Sequence, residues 1–261
     1  MPEGHTIHRL ARDHRRQFSN RLLRVSSPQG RFRAGAKKLD RLVLTTVEAH
    51  GKHLFYRWEN QSLLHVHLGL YGKFRSHRCP PPKPQGAVRL RVVGDIHAFD
   101  LNGPTICEII SSERVEILCR RLGPDPLRRD ADPEQAWKRI HKSRASIGAL
   151  LLDQSVISGV GNVYRAEVLF ANQIHPNRWG NSLSEQEFRA IWKTLYQWLR
   201  IGVKYNRIIT AHSKQRGTPG RLNSAERLLV YKKVHCPACG AEIKSWKLGS
   251  RKIYACDFCQ S

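Results

Sequence analysis

Acidic residues and long apolar runs are scarce in this sequence of 261 residues. Asp and Glu together number 21, against 45 Lys and Arg, and the formal net charge at pH 7 is +24. This excess of positive charge is larger than solubility requires, so it predicts a polyanionic partner. The apolar runs fall short of the about 18 to 20 residues that cross a membrane, so we expect no membrane partner.

We also expect no secretory signal, because the start Met1-Pro2-Glu3-Gly4-His5 lacks a charged segment followed by an apolar one. We therefore expect a cytoplasmic, reducing environment, in which the seven cysteines favour metal binding over disulfides. Composition excludes a disordered basic tail, because 40% of the residues are hydrophobic and six are Trp.

Hydrophobic periodicity predicts an α+β protein with its strands in the first half. Thr6 to Phe18 has apolar residues at helical spacing, and Leu22 to Ile110 consists of short β-branched and aromatic runs separated by turns. We expect these runs to form an antiparallel β-sandwich. The predicted strands are 42–49, 53–58, 62–68, 88–93, 97–101 and 105–110.

The second half is predicted to be helical and to follow a linker. Two prolines and a glycine between Leu122 and Leu127 interrupt regular structure. The predicted helices are 133–143, 146–154, 163–172 and 184–203, and the last begins with a capping box of Ser184 and Glu187. Residues 206–223 lack periodicity and predict a mobile loop. The expected segments are an N-terminal domain at 1–121, a linker at 122–132, a helical domain at 133–224 and a cysteine-rich segment at 225–261.

Four cysteines form two pairs near the chain end, Cys236 with Cys239 and Cys256 with Cys259. The sixteen residues between the pairs suffice for a hairpin that brings the four thiols together. Four thiolates at this spacing favour one structural zinc ion with no open coordination position. Two disulfides or reactive thiols are the alternative.

The segment Gly159-Val160-Gly161-Asn162 lies between two predicted helices. Glycine permits close backbone approach, and the first amides of the next helix, together with Asn162, are expected to face outward and suit a phosphate. A plain tight turn between helices explains the same glycines. Both interpretations stay open on the motif alone.

Five motifs taken together, in their order along the chain, indicate a function more specifically than any one of them alone. They are Met1-Pro2-Glu3-Gly4, Gly51-Lys52, Leu122-Gly123-Pro124-Asp125, Gln154 to Leu169, and Ser250-Arg251-Lys252-Ile253-Tyr254. With the cysteine pairs, they resemble the formamidopyrimidine-DNA glycosylase and endonuclease VIII family of base-excision repair enzymes. The resemblance spans almost the whole chain. It implies a multidomain α+β monomer that acts on damaged DNA, with an N-terminal β-sandwich, a helix-two-turn-helix DNA-binding domain and a C-terminal zinc finger.

The resemblance implies a bifunctional DNA glycosylase and AP lyase. If Met1 is removed, the amine of Pro2 attacks C1′ of the damaged nucleotide and forms a Schiff base, and β,δ-elimination follows. An α-amino group with a pKa of about 8 is neutral in roughly a tenth of the molecules at pH 7, and a helix starting nearby raises that fraction. Glu3 is implied as general acid and base for opening the sugar ring. The alternative for both residues is a frayed terminus without function.

Further site residues follow from the same resemblance. Lys52 is implied to contact the phosphate beside the lesion and to assist the elimination steps. Asn162, Arg121 and Arg251 are implied to bind the DNA backbone, and Arg251 also matches the proposed acid of the δ-elimination. The alternative for Lys52 is an ordinary exposed lysine in a turn, with no role in the reaction.

Leu70 and Tyr71 are implied to form an apolar wedge that fills the stack when the target base is flipped out. Two core residues in a bend are the alternative. The purine-directed enzymes of the family also fill the gap opposite the lesion with an Arg-Phe pair, and Asp100 to Cys107 contains no such pair. We therefore favour the endonuclease VIII branch and oxidised pyrimidines, with the purine-directed branch as the alternative.

The start departs from the family pattern at His5 and Thr6, where a second proline and a second acid are usual. If that acid orients the amine, His5 or Thr6 must replace it. The rival function is that of a non-catalytic zinc-containing DNA-binding protein. Pro2 and Glu3, together with Lys52, discriminate against it, because binding alone needs no amine at the chain start.

Overall fold

A computed structural model describes residues 2–211, 221–223 and 226–261. The predicted mobile loop at 206–223 lies in part outside these residues. The chain divides into two units, of which the first contains Ile7–Arg120 and the second contains Glu3–Thr6 and Arg121–Ser261. Among the described helices, none has the length and apolarity needed to cross a membrane.

Eight strands of the first unit form one antiparallel sheet, in the order β5-β7-β6-β1-β2-β3-β4-β8. The strands are β1 Arg21–Ser26, β2 Leu42–His50, β3 His53–Trp58, β4 Leu63–His67, β5 Lys73–Arg78, β6 Val88–Val93, β7 His97–Asn102 and β8 Ile106–Ile110.

Strand β1 joins two halves of this sheet, with β5, β7 and β6 on one side and β2, β3, β4 and β8 on the other. Its residues 21–23 pair with β2, and its residues 24–26 pair with β6. Buried side chains from both halves, and from helix α1 (Gly4–Phe18), belong to a single hydrophobic cluster. The predicted antiparallel β-structure is therefore confirmed, with the two halves continuous through β1, but the predicted strands do not include β1 and β5.

Two short helices of this unit escaped the sequence prediction, namely α2 (Arg33–Leu39) and α3 (Ser112–Arg121). Helix α2 spans only seven residues, and α3 contains no buried residue. Neither helix therefore carries the long apolar stripe that reveals a helix in a sequence.

Helices dominate the second unit, and a hairpin lies near the end of the chain. The elements are α4 Pro133–His141, α5 Ile147–Leu150, α6 Asn162–Ala171, a 3-10 turn at Gly180–Ser182, α7 Glu185–Tyr205, β9 Lys244–Leu248 and β10 Arg251–Ala255. The predicted capping box is confirmed, because Ser184 and Glu187 exchange side-chain and backbone hydrogen bonds. The helix predicted at 146–154 is wrong beyond Leu150. The side chain of Asp153 accepts a hydrogen bond from the Ser155 amide, which turns the chain instead.

Glu167, on α6, fixes two later segments of this unit. Its carboxylate is fully buried and accepts hydrogen bonds from the Thr210 hydroxyl and from the amides of Leu229 (2.6 Å), Val230 (2.9 Å) and Tyr231 (2.7 Å). Burial raises the pKa of Glu167, and these donors offset part of that effect. A buried carboxylate needs such partners, so Glu167 joins residues far apart in the chain.

We expect Glu167→Gln to lower the free energy of unfolding by about 2 to 4 kcal/mol, because its NH₂ group leaves buried donors without an acceptor. Thr210→Val, which removes one donor and keeps the carboxylate, should cost about 1 kcal/mol. Urea unfolding of both variants measures the difference. Equal losses would show that the backbone amides at 229–231 do not depend on Glu167.

Candidate active site

Glu3 is held at the amino-terminal end of α6. Its side chain is fully buried, and its two carboxylate oxygens accept hydrogen bonds from the amides of Gly161 and Val163, both at 2.9 Å. The Gly4 amide donates to the Gly159 carbonyl at 2.7 Å. A frayed start is thereby excluded for Glu3 and Gly4, which are anchored by both side chain and backbone.

The glycines of Gly159-Val160-Gly161 make this approach possible. A Cβ on Gly161 would collide with the carboxyl group of Glu3, and a Cβ on Gly4 would lie 2.9 Å from Cα of Gly159. The expectation that the first amides of α6 face outward toward a phosphate is therefore wrong for Gly161 and Val163. Glu3 supplies the negative charge that the helix N-terminus favours.

Asn162 also points inward, contrary to the expectation that it faces outward. Asn162 is 6% exposed. Its side-chain NH₂ group donates to the Lys252 carbonyl at 2.9 Å, and its side-chain oxygen accepts a hydrogen bond from Arg165 at 2.5 Å. This contact brings Asn162 beside the half-buried Arg251, the residue before Lys252 in β10. Glu3, Asn162 and the start of β10 are thus gathered at one end of α6.

His5 occupies a position where the family usually has other residues. It is 4% exposed, and its ring packs edge-to-face on that of Tyr164 at 5.4 Å. Burial, aided by nearby positive charge that includes Arg227, lowers the pKa of His5 to about 4. His5 is therefore neutral at pH 7, and it cannot replace the charge of a carboxylate.

Lys52 and the predicted wedge lie at the same end of the first unit's sheet. The register pairs His53, which follows Lys52, with His67, which precedes the wedge loop. Leu70 and Tyr71 are 44% and 86% exposed, so the alternative of two core residues in a bend is wrong. Gly69 has φ +65°, and the Gly72 amide donates to the Leu68 carbonyl, so the loop turns tightly around its exposed tip.

Arg121, the last residue of α3, is exposed. A group of histidines beside Lys52 escaped the sequence prediction. The ring centroid of His53 on β3 lies 5.1 Å from that of His65 and 4.8 Å from that of His67, both on β4. The spacing of His65 and His67 places them on one face of a strand. The sequence could therefore have indicated that His65 and His67 lie side by side. Only the strand register shows that His53 lies opposite His67.

The four paired cysteines converge as predicted. Their Sγ atoms all lie within 4.8 Å of one another, with Cys236 and Cys259 at 3.8 Å and Cys239 and Cys256 at 3.5 Å. These distances exceed a disulfide bond of about 2.05 Å. They match the separation of about 3.8 Å between thiolates bound tetrahedrally to zinc at about 2.3 Å. The cluster can therefore hold a metal ion, and its donor set fits zinc.

Family models match both units of the chain. Residues 1–102 match the formamidopyrimidine-DNA glycosylase N-terminal domain, and residues 122–214 match the formamidopyrimidine-DNA glycosylase H2TH domain. The protein named Endonuclease 8 1 of Mycobacterium tuberculosis is 46% identical over the full length of both chains. A formamidopyrimidine-DNA glycosylase of Thermomicrobium roseum is 29% identical, covering 86% of this chain and 84% of its own.

Solved structures share the fold. Fpg of Lactococcus lactis, crystallised with DNA containing an N7-benzyl-Fapy-dG, has a TM-score of 0.83 at 24% identity and covers 99% of each chain. The matches across both units define an enzyme of base-excision repair, a DNA glycosylase with AP lyase activity. The chain belongs to the formamidopyrimidine-DNA glycosylase and endonuclease VIII family, in agreement with the resemblance seen in its sequence.

We expect one zinc ion per chain, measured by native mass spectrometry and by zinc analysis of the purified protein. Cys259→Ser should lower the zinc content and destabilise the hairpin, because metal binding supplies much of the folding energy of so small a module. Cys79→Ser, which changes a cysteine outside the cluster, should retain the metal. Metal-free protein with an intact hairpin would contradict this expectation.

Proposed function

We propose that the chain removes oxidised pyrimidines through a Schiff base on the amino-terminal proline. After removal of Met1, the amine of Pro2 attacks C1′ of the damaged nucleotide, the C1′–base bond breaks as the base leaves, and the Pro2 nitrogen loses its proton. The C1′–O4′ bond then breaks as O4′ takes up a proton, and the iminium formed by this ring opening undergoes β- and then δ-elimination. The observation that carries this proposal is the anchoring of Glu3 and Gly4, because it gives the neighbouring Pro2 a defined attachment. A nucleophile needs such positioning to react efficiently.

Glu3 acts as the proton carrier of sugar-ring opening in this proposal. It takes a proton as base and returns one as acid, from the residue next to the attacking amine. Lys52 contacts the phosphate beside the lesion and assists elimination, and Arg251 donates the proton of the second elimination. The inward orientation of Asn162 supports an indirect contribution to DNA binding, in which it holds the β10 backbone beside Arg251.

DNA binding is assigned to both units. Arg251, Asn162 and the exposed Arg121 serve the sugar-phosphate backbone, and Leu70 with Tyr71 fills the gap left by the flipped base. We further propose that the protein acts as a monomer on damaged DNA, with structural zinc on Cys236, Cys239, Cys256 and Cys259. The domain boundaries proposed are 1–121, 122–132, 133–224 and 225–261.

Preference for pyrimidines is supported by the connection between β7 and β8. Only Gly103, Pro104 and Thr105 separate these strands, which leaves no loop long enough to carry a second intercalating pair. The full-length relative at 46% identity also carries the endonuclease VIII name. A saturated pyrimidine stacks poorly and is easier to extrude than 8-oxoguanine, so a protein with one wedge should favour it.

The nucleophile can be tested by trapping with borohydride on a duplex containing an abasic site. The wild-type protein should form a covalent adduct. A variant with one extra residue retained before Pro2 should form none, because its amine is then part of a peptide bond. Lys52→Ala should still form the adduct while cleaving about 100-fold more slowly. The adduct surviving in the extended protein and disappearing in Lys52→Ala would move the nucleophile to Lys52.

Lesion choice can be tested with matched duplexes. We expect dihydrothymine to be removed at least about ten-fold faster than 8-oxoguanine opposite cytosine, a difference of about 1.4 kcal/mol in activation free energy. Leu70→Ala combined with Tyr71→Ala should reduce duplex cleavage more than cleavage of the same lesion in single strands, where no stack needs refilling. Faster removal of 8-oxoguanine would place the protein in the purine-directed branch.

A further inference from the structure

The turn between α5 and α6 is held together by the side chain of Gln154. Its Nε2 donates to the carbonyls of Leu152 and Val160, both at 2.9 Å, and its Oε1 accepts from the Gly159 amide at 3.0 Å. The reverse orientation of the carboxamide would place its oxygen against two carbonyl oxygens, so the surrounding groups fix which way it points. Gln154 therefore ties the beginning of the turn to its end.

Gln154 and Glu3 bind the two ends of the same peptide group. The Val160 carbonyl and the Gly161 amide belong to one peptide unit, which is planar. Gln154 donates to this carbonyl, and this amide donates to the Glu3 carboxylate at 2.9 Å. A rotation of the peptide plane would break both bonds, so Gln154 fixes the direction of an N–H group that anchors Glu3.

The backbone contact of the chain start also passes through a residue that Gln154 holds. The Gly159 amide donates to Gln154, and the Gly159 carbonyl accepts from the Gly4 amide at 2.7 Å. Gly159 has φ +88°, and glycine by itself has little conformational preference, so its orientation depends on such contacts. Both anchors of the chain start, on Glu3 and on Gly4, thus depend on the turn that Gln154 closes.

The backbone of the same turn contacts the segment Leu122-Gly123-Pro124-Asp125. The Gly123 amide donates to the Gln154 carbonyl at 2.8 Å, and the Ser158 amide donates to the Pro124 carbonyl at 3.2 Å. These bonds use only main-chain atoms. A substitution of the Gln154 side chain therefore leaves them available and isolates the contribution of the carboxamide.

We propose that Gln154 is a positioning residue for the Schiff-base reaction, which orients Glu3 and the attachment of Pro2 through this turn. The inference rests on the proposed function, in which Pro2 is the nucleophile and Glu3 the proton carrier. A displacement of about 1 Å in a reacting group can slow a reaction by about 100-fold. The loss of the carboxamide should therefore reduce the rate of covalent bond formation rather than the affinity for DNA.

Two substitutions of Gln154 in the full-length, zinc-loaded protein test this role. Gln154→Glu keeps the size of the side chain but places an oxygen against two carbonyls, and Gln154→Met removes all three hydrogen bonds without adding charge. Both variants should form the borohydride-trapped adduct with an abasic-site duplex at least about ten-fold more slowly than wild type in single turnover. The Kd of Gln154→Met for a duplex with a tetrahydrofuran abasic analogue should change by less than about two-fold.

Amide hydrogen exchange provides a readout that does not depend on activity. In Gln154→Met, the amides of Gly161 and Val163 should exchange at least about ten-fold faster than in wild type, because their acceptor Glu3 is less firmly held. The amides of Val230 and Tyr231, which donate to Glu167, should be unaffected. Unchanged exchange at Gly161 and Val163 would overturn the proposal.

Asn172→Asp is the matched control, because the side-chain amide of Asn172 donates to the Val168 carbonyl at 2.8 Å near the other end of α6. This variant should form the adduct at the wild-type rate, and thermal melting compares the stability of all variants. Wild-type adduct rates in both Gln154 variants would overturn the role of Gln154 alone. Equal slowing in Asn172→Asp would also overturn it, because the effect would then be a general loss of stability. A wild-type protein that forms no adduct would instead refute the proposed function.

Discussion

The two hydrogen bonds from the amides of Gly161 and Val163 to Glu3 are the interaction on which the candidate site depends. A carboxylate with no exposed surface is stable only when donors replace its lost hydration, and the start of a helix supplies them together with a favourable dipole. Gly161 must lack a side chain for the carboxylate to fit. The chain start, the glycine turn and α6 are therefore one structural unit rather than three separate motifs.

These hydrogen bonds also change the interpretation of the segment Gly159-Val160-Gly161-Asn162. Its amides hold an internal carboxylate, so the negative charge attracted by the helix comes from the protein itself. Asn162, the next residue, is tied to Lys252 and positions the strand that begins at Arg251. A DNA-binding interpretation treats Asn162 and Arg251 as independent contacts, but they are linked through the hydrogen bond of Asn162 to Lys252, the residue after Arg251.

Sequence patterns a few residues long predicted the elements that depend on interactions between neighbouring residues in the chain. The capping box of Ser184 and Glu187, the strand runs and the two cysteine pairs all carry their signal within a few residues. The Glu3 contacts join residues about 160 positions apart, so no local pattern contains them. The contacts of His65 with His53 and Glu108 likewise follow from the pairing of β4 with β3 and β8, and local sequence patterns do not specify that register.

Strand β1 has a consequence for how the first unit forms. Its six residues hydrogen-bond to β2, about 20 residues further along the chain, and to β6, nearly 70 residues further along. Neither half of the sheet completes its ladder until β1 is in place, and the distant pairing carries a loop-closure cost that must be met before its contacts form. We therefore expect the two halves to fold as one cooperative unit, with the long-range pairing of β1 and β6 as its slower step.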